Sequence, residues 1–214
     1  MGDGAVTGRI IHTLDDVEEG AAHLCAICPR MAQARAEVGA LPLRRKPDGF
    51  AQLLSAIVSQ QVSVASANAI WGRMKSAALT GPRKIKWASD DDLRAAGLSR
   101  QKIRYARALA EARIDFGALR DAPTDEVIAT LVEVPGVGVW TAEIYAMFSL
   151  GRADVFAPGD LALQEAARLL YELLERPRER DLREMSQAWR PWRSVAARIL
   201  WAYYHVAKQR EGIR

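Results

Sequence analysis

Asp160 closes the stretch DVFAPGD, a carboxylate set behind a proline and a glycine, and twenty residues before it Trp140 sits in VWTAEI. A carboxylate and electron-rich rings are means of stabilising a developing positive charge, the first electrostatically and the second by cation–π attraction. A helix of about ten residues travels ~15 Å and an extended return of similar length can cover that distance, so the chain allows Asp160 and Trp140 to approach. The sequence has no Ser/His/Asp or Cys/His arrangement suited to nucleophilic attack, and no ligand cluster for a metal that activates water. What remains is carboxylate chemistry. Asp160 also precedes LALQEAARLLYELL, a strong helical pattern, which gives it a second and purely structural reading as an N-cap.

The glycines in VPGVGVWTAEI, Val134 to Ile144, raise a binding question. Before them, TDEVIATLVE places Val127, Ile128, Leu131 and Val132 at helical spacing and ends at Pro135; after them, TAEIYAMFSLG carries Ile144, Met147 and Phe148 and stops at Gly151. Pro135, Gly136, Val137 and Gly138 therefore make a tight turn between two helices. Such a turn, leading into a helix N-terminus, points backbone N–H groups outward, and the missing Cβ atoms let a phosphate come close. The same residues also suit a tight αα-hairpin that needs glycine for positive φ and binds nothing. Both readings stay open on these residues alone.

The elements that must position these groups are helical throughout. FAQLLSAIVS repeats Phe50, Leu53, Leu54 and Ile57; Ser89 and Asp92 have capping-box spacing; Ser99 opens SRQKIRYARALAEARI as another cap. No segment alternates apolar and polar residues long enough for a strand, so the fold is expected to be all-α. GALPLRRKPDG, LTGPRK and RADVFAPGD read as breaks, none of them long enough for a domain linker, and no internal repeat occurs. In the last helix Trp192, Val195, Ile199, Tyr203 and Val206 form one apolar face, and Trp201 lies about 150° from its centre beside Arg198 and His205. That position favours a pocket or lobe-interface role for Trp201 over a place in the main core stripe.

With 214 residues, 50% hydrophobic and 26% charged, the chain is long enough for one sizeable core or two small lobes. Its net charge of +4 suits a polyanionic partner without demanding one. Arg44, Arg45 and Lys46, then Arg83, Lys84 and Lys86, then Arg100, Lys102 and Arg104 form basic clusters, the first two in apparent loops where a duplex could be met, although such runs are usually solvated faces. No apolar run is long enough to span a bilayer, and MGDGAVTGR has neither the basic start nor the apolar core of a signal peptide, so a cytoplasmic location is expected. Cys25 and Cys28, three apart on an apparent helix with only His23 nearby, are expected to be small core residues rather than a disulfide or metal site.

LVEVPGVGVWTA followed by DVFAPGD resembles the helix-hairpin-helix, Gly/Pro-rich-loop, Asp signature of DNA base-excision glycosylases, and its tryptophan form is similar to the 3-methyladenine DNA glycosylase II branch. AIVSQQVSVASANAIWGRM and PWRSVAARILWAYY match that branch as well, so the resemblance spans roughly Leu14 to Lys208. It implies two all-α lobes with a DNA-binding cleft: a flexible tail over 1–12, then a single glycosylase unit over 13–214, with a central lobe at about 49–152 and a second lobe of about 13–48 plus 153–214. It implies Asp160 as the catalytic carboxylate, Trp140, Ile144 and Trp201 around the flipped base, and Gln61, with Gln60 beside it, as the wedge that enters the duplex. Pro135, Gly136, Val137 and Gly138 become the phosphate-binding hairpin. The carbonyls of Val132, Val134 and Val137 match positions that hold a monovalent cation in relatives; no side-chain metal site and no cofactor is implied. In the best-studied member of that branch the wedge is leucine where this chain has Gln61, and a pocket tyrosine there corresponds to Ile144.

The expected activity is monofunctional release of alkylated purines, of the 3-methyladenine type, from double-stranded DNA in base excision repair, by a monomer associated with the nucleoid in a prokaryote. Alkylated purines already carry positive charge, which an ionised Asp160 and a pocket of Trp140 and Trp201 would suit. Two rivals are a non-catalytic helix-hairpin-helix DNA-binding module and a bifunctional glycosylase/lyase for oxidised bases. In the resemblance, the second normally requires a lysine at the position of Trp140, and often four cysteines for an iron–sulfur cluster; this chain has two cysteines.

Overall fold

The structure, a computed structural model, describes residues 7–210. In chain order its helices are α1 (Leu14–Ile27), α2 (Pro29–Glu37), α3 (Phe50–Ser59), α4 (Val64–Ser76), α5 (Pro82–Trp87), α6 (Asp90–Ala95), α7 (Arg100–Glu111), α8 (Thr124–Val132), α9 (Val139–Phe148), α10 (Leu161–Leu170), α11 (Glu179–Met185) and α12 (Arg193–Arg210). Among the described residues there is no strand, only an isolated antiparallel bridge between Ile10 and Arg152, and the fold is all-α as expected. None of these helices is long and apolar enough to cross a membrane. The chain divides into two compact units, one of Lys46–Tyr145 and one of the segments on either side of it.

In the Lys46–Tyr145 unit, α7 packs on α3, α5 and α6, and α3 on α4. Leu53, Leu54, Ile57, Met74, Ile85, Leu93 and Ile103 fill the space between them. The helix starts follow local capping: Ser89 and Asp92 form a complete capping box on α6, and the Ser99 hydroxyl accepts the Lys102 N–H at the head of α7. Caps of this kind contribute ~0.5–2 kcal/mol each. One expected break is instead α5. Pro82 occupies its first turn, where the missing N–H would have no partner and the fixed φ suits a helix. Arg83, Lys84 and Lys86 therefore stand on a helix rather than in a loop.

In the other unit, α12 packs against α1, α2 and α10. Gly20 permits the approach of α1, since a Cβ there would come within 2.6 Å of the Trp192 ring. Residues 9–11 are not a loose tail: Ile11 donates its N–H to Gly151 O at 2.7 Å, Ala153 donates to Arg9 O at 2.9 Å, and Ile11 is fully buried. Burial of one isoleucine and two backbone bonds tie down a segment whose composition alone reads as free. Residues 1–6 of the expected tail lie outside the described residues. Cys28 is the C-cap of α1 rather than a helix-interior residue, its Sγ 3.3 Å from Tyr171 Oη, and both cysteines are half-buried free thiols. On α12, Arg198 and Trp201, which lie off the main apolar stripe, are buried along with Val195, Ile199 and Leu200.

Candidate functional site

Asp160 lies where the chain turns from the Pro158–Gly159 loop into α10. Its N–H reaches Ala157 O at 3.0 Å, and the buried Gln164 donates Nε2–H to Pro158 O at 2.8 Å, which fixes the loop ahead of it. Asp160 is the N-cap: its Oδ1 accepts the N–H groups of Ala162 at 2.9 Å and Leu163 at 3.1 Å. The same oxygen accepts the indole N–H of Trp201 at 3.2 Å. The structural reading of Asp160 is thus correct in fact, and the cap is what aims the half-buried carboxylate. Capping and chemistry are not alternatives at this position.

Trp201 is only 8% exposed. Its ring centroid is 5.7 Å from that of Phe148, tilted by 32°, and the Arg44 guanidinium lies 5.6 Å from its centre. Arg198 in turn lies 5.0 Å from the Phe148 ring. Buried Arg198 donates to Pro42 O, Leu43 O and Ser194, and so ties α12 to the segment just before Arg44. Burial, and then the charges of Arg44 and Arg45, push its guanidinium down to about 10. Neither Arg44 nor Arg198 was assigned to the site from sequence. The signal that could have found Arg198 was its position one turn before Trp201 on a helix that proves buried on that side too.

The hairpin joins α8 to α9. Val134 O accepts the Val137 N–H at 2.9 Å, and Gly138 O accepts the Ala142 N–H at 3.0 Å, the first bond of α9. The N–H groups of Val139, Trp140 and Thr141 thus precede the helical ladder at its positive end. Gly136 has φ +93°, and a Cβ there would come within 2.3 Å of the Tyr105 ring, whereas a Cβ on Gly138 would meet nothing within 4 Å. The positive-φ requirement therefore belongs to Gly136, and Gly138 supplies open approach. Val132, Val134 and Val137 offer neutral, hard carbonyl oxygens, which fit a monovalent cation better than a transition metal. Among the described residues no cluster of His, Cys, Asp or Glu could hold a metal.

Gln60 and Gln61, expected together as a wedge, do different things. Gln60 donates Nε2–H to Gly136 O at 2.9 Å and braces the hairpin, while Gln61 is exposed with φ +56°. That backbone conformation costs roughly 1–2 kcal/mol for a residue with a side chain. A cavity of about 570 Å³ lies here, lined by Gln60, Gln61, Lys102, Tyr105, Gly136 and Gly138 among others. Lys102 reaches Val58 O at 2.6 Å, and burial lowers its ammonium pKa. Tyr105 and Lys102 were missed as supports of this surface, since their pairing with Gly136 and Val58 is visible only in three dimensions. Trp140, 44% exposed, and half-buried Ile144 project from α9 in the same unit, while Asp160 and Trp201 belong to the other.

A helix-hairpin-helix turn, followed by a glycine- and proline-bearing loop that delivers a capped aspartate, defines a class. Residues 54–192 match the model of the HhH-GPD superfamily of base excision DNA repair proteins, and the chain belongs to that family. It is similar to the DNA-3-methyladenine glycosylase 1 of Schizosaccharomyces pombe, 32% identical over 178 residues, which cover 79% of this chain and 78% of the relative. Among solved structures it is similar to a DNA-3-methyladenine glycosidase from Bacillus halodurans, with TM-score 0.81 and 37% identity over 89% of this chain and 91% of that one. The S. pombe 3-methyladenine DNA glycosylase in complex with abasic DNA superposes with TM-score 0.74 and 29% identity, over 86% and 95% of the two chains.

Proposed function

We propose that the chain is a monofunctional DNA glycosylase of base excision repair. In this reading it binds double-stranded DNA as a monomer, turns an alkylated purine of the 3-methyladenine type out of the stack and hydrolyses its N-glycosidic bond. It works in the cytoplasm, on the nucleoid in a prokaryote. The observation that carries the reading is the fixed carboxylate of Asp160, held on one oxygen by two backbone N–H groups and by the Trp201 indole.

Breaking the bond sends its electron pair to the base, so an alkylated cationic purine leaves neutral and the sugar gains oxocarbenium-like charge. The Asp160 carboxylate opposes that charge and orients a water whose oxygen bonds to C1′ and whose proton passes to solvent, leaving an abasic sugar. Trp140, Ile144 and Trp201 are assigned to the extruded base, Gln61 to the gap it leaves, with Gln60 as the brace behind it. Pro135, Gly136, Val137 and Gly138 are assigned to a phosphate, with a monovalent cation at the carbonyls of Val132, Val134 and Val137. Phosphate contacts of this kind set register and carry no base preference. Trp140 offers no amine with which to form a Schiff base, so no lyase step follows.

Chromatography of bases released from methylated duplex tests the reading. Methylated purines should appear, strand breaks only after alkali, and borohydride should trap no covalent complex. Tight duplex binding without base release would favour the non-catalytic module, and efficient trapping would favour the lyase.

A further inference from the structure

Arg44 is exposed, yet its guanidinium lies over the ring of a tryptophan that is 8% exposed. Its backbone has φ +52°, the left-handed region, and the two carbonyls just before it, those of Pro42 and Leu43, are fixed by buried Arg198. The segment thus presents one arginine, from a strained and tethered backbone, to one aromatic ring. Phe148, the other ring against Trp201, is itself buried and lies beside Arg198, so it is not free to withdraw. For a flipped base to stack on Trp201, the group that must leave is the long, exposed side chain of Arg44.

We propose that Arg44 is a displaceable occupant of the Trp201 face, a threshold that separates strongly from weakly held bases. The proposal rests on the glycosylase reading and names a specificity-determining residue within it. Displacing Arg44 costs the same whichever base enters, so the cost alone does not change the difference in affinity between two bases. It does change populations. A cationic purine brings its own attraction to the indole, keeps the extruded state filled and loses little, whereas a neutral purine that is extruded only part of the time loses in full proportion. At saturating enzyme the threshold therefore lowers the release rate of neutral bases and spares cationic ones. The contact at stake, a cation on an indole face, corresponds to a factor of ~2–30.

The test is single-turnover release at saturating enzyme from duplexes that differ only in the target base, 7-methylguanine as the cationic purine and hypoxanthine as the neutral one. Arg44→Gln should raise hypoxanthine release by ~2–30-fold and change 7-methylguanine release less than ~2-fold, while Arg44→Lys, which keeps a cation there, stays near wild type. Unchanged rates, a fall of both, or an equal rise of both would overturn the proposal; a common fall, with weaker binding to undamaged duplex, would mark Arg44 as a phosphate contact. Hypoxanthine release that remains undetectable in Arg44→Gln would overturn it as well. A wild-type protein that releases neither base would instead remove the glycosylase reading, so the two failures are distinct.

Discussion

The Trp201 indole N–H and the Asp160 Oδ1 lie 3.2 Å apart, so α12 holds the carboxylate that caps α10. Trp201→Phe keeps a ring against Phe148 and removes the donor. The fold should survive with a modest drop in melting temperature, and single-turnover release of 7-methylguanine should fall by roughly tenfold or more, the value of a hydrogen bond to a charged group. Unchanged release would confine the contact to packing.

The two hairpin glycines should separate strain from phosphate approach. Gly136→Ala forces a Cβ into the Tyr105 ring at φ +93°, so it should lower the melting temperature by several degrees. Gly138→Val has room within the protein and should leave melting nearly unchanged while weakening binding to damaged and undamaged duplex alike, measured by fluorescence anisotropy. Equal binding by Gly138→Val and wild type would reduce the hairpin to a structural turn.

Asp16 gives a pH-dependent check on the N-terminal docking. Its carboxylate accepts the backbone N–H groups of His12 and Thr13 and pairs with Arg9, which together hold its pKa well below the usual carboxylate range. A carboxyl depressed in the folded state contributes stability above the unfolded value of about 4, and that contribution is lost as pH falls below it. Asp16→Asn should therefore melt lower than wild type at pH 7, and the gap should narrow below pH ~4. A gap that stays constant down to pH 3 would show that the charge on Asp16 is not what matters.

Local signals carried well from sequence to structure. The caps at Ser89 and Ser99, the hairpin turn and the helix after Asp160 each depend on residues a few positions apart, and each is present. What local spacing did not carry was non-local. On α12, Arg198 is buried by donating to carbonyls more than 150 positions away in sequence, and Trp201 by Phe148 and Arg44, contacts that helix periodicity does not show. Gln60 looked like a partner of Gln61 because they are adjacent, whereas its amide is claimed by Gly136 O across the fold. Residues 9–11 carried no periodic pattern, and only their pairing with the Gly151–Ala153 segment gives them a place.

The most direct measurement is base release by Asp160→Asn. Asparagine caps a helix as well as aspartate does, and its carbonyl oxygen can still accept the Ala162, Leu163 and Trp201 donors, so the substitution removes charge and little else. The expected result is a folded protein, melting within a few degrees of wild type and binding duplex with a stable abasic analogue as tightly, whose release of methylated purines is slower by at least ~100-fold. A folded Asp160→Asn protein that excises methylated purines at near wild-type rate would contradict the assignment of Asp160 as the catalytic carboxylate and leave it only the cap of α10.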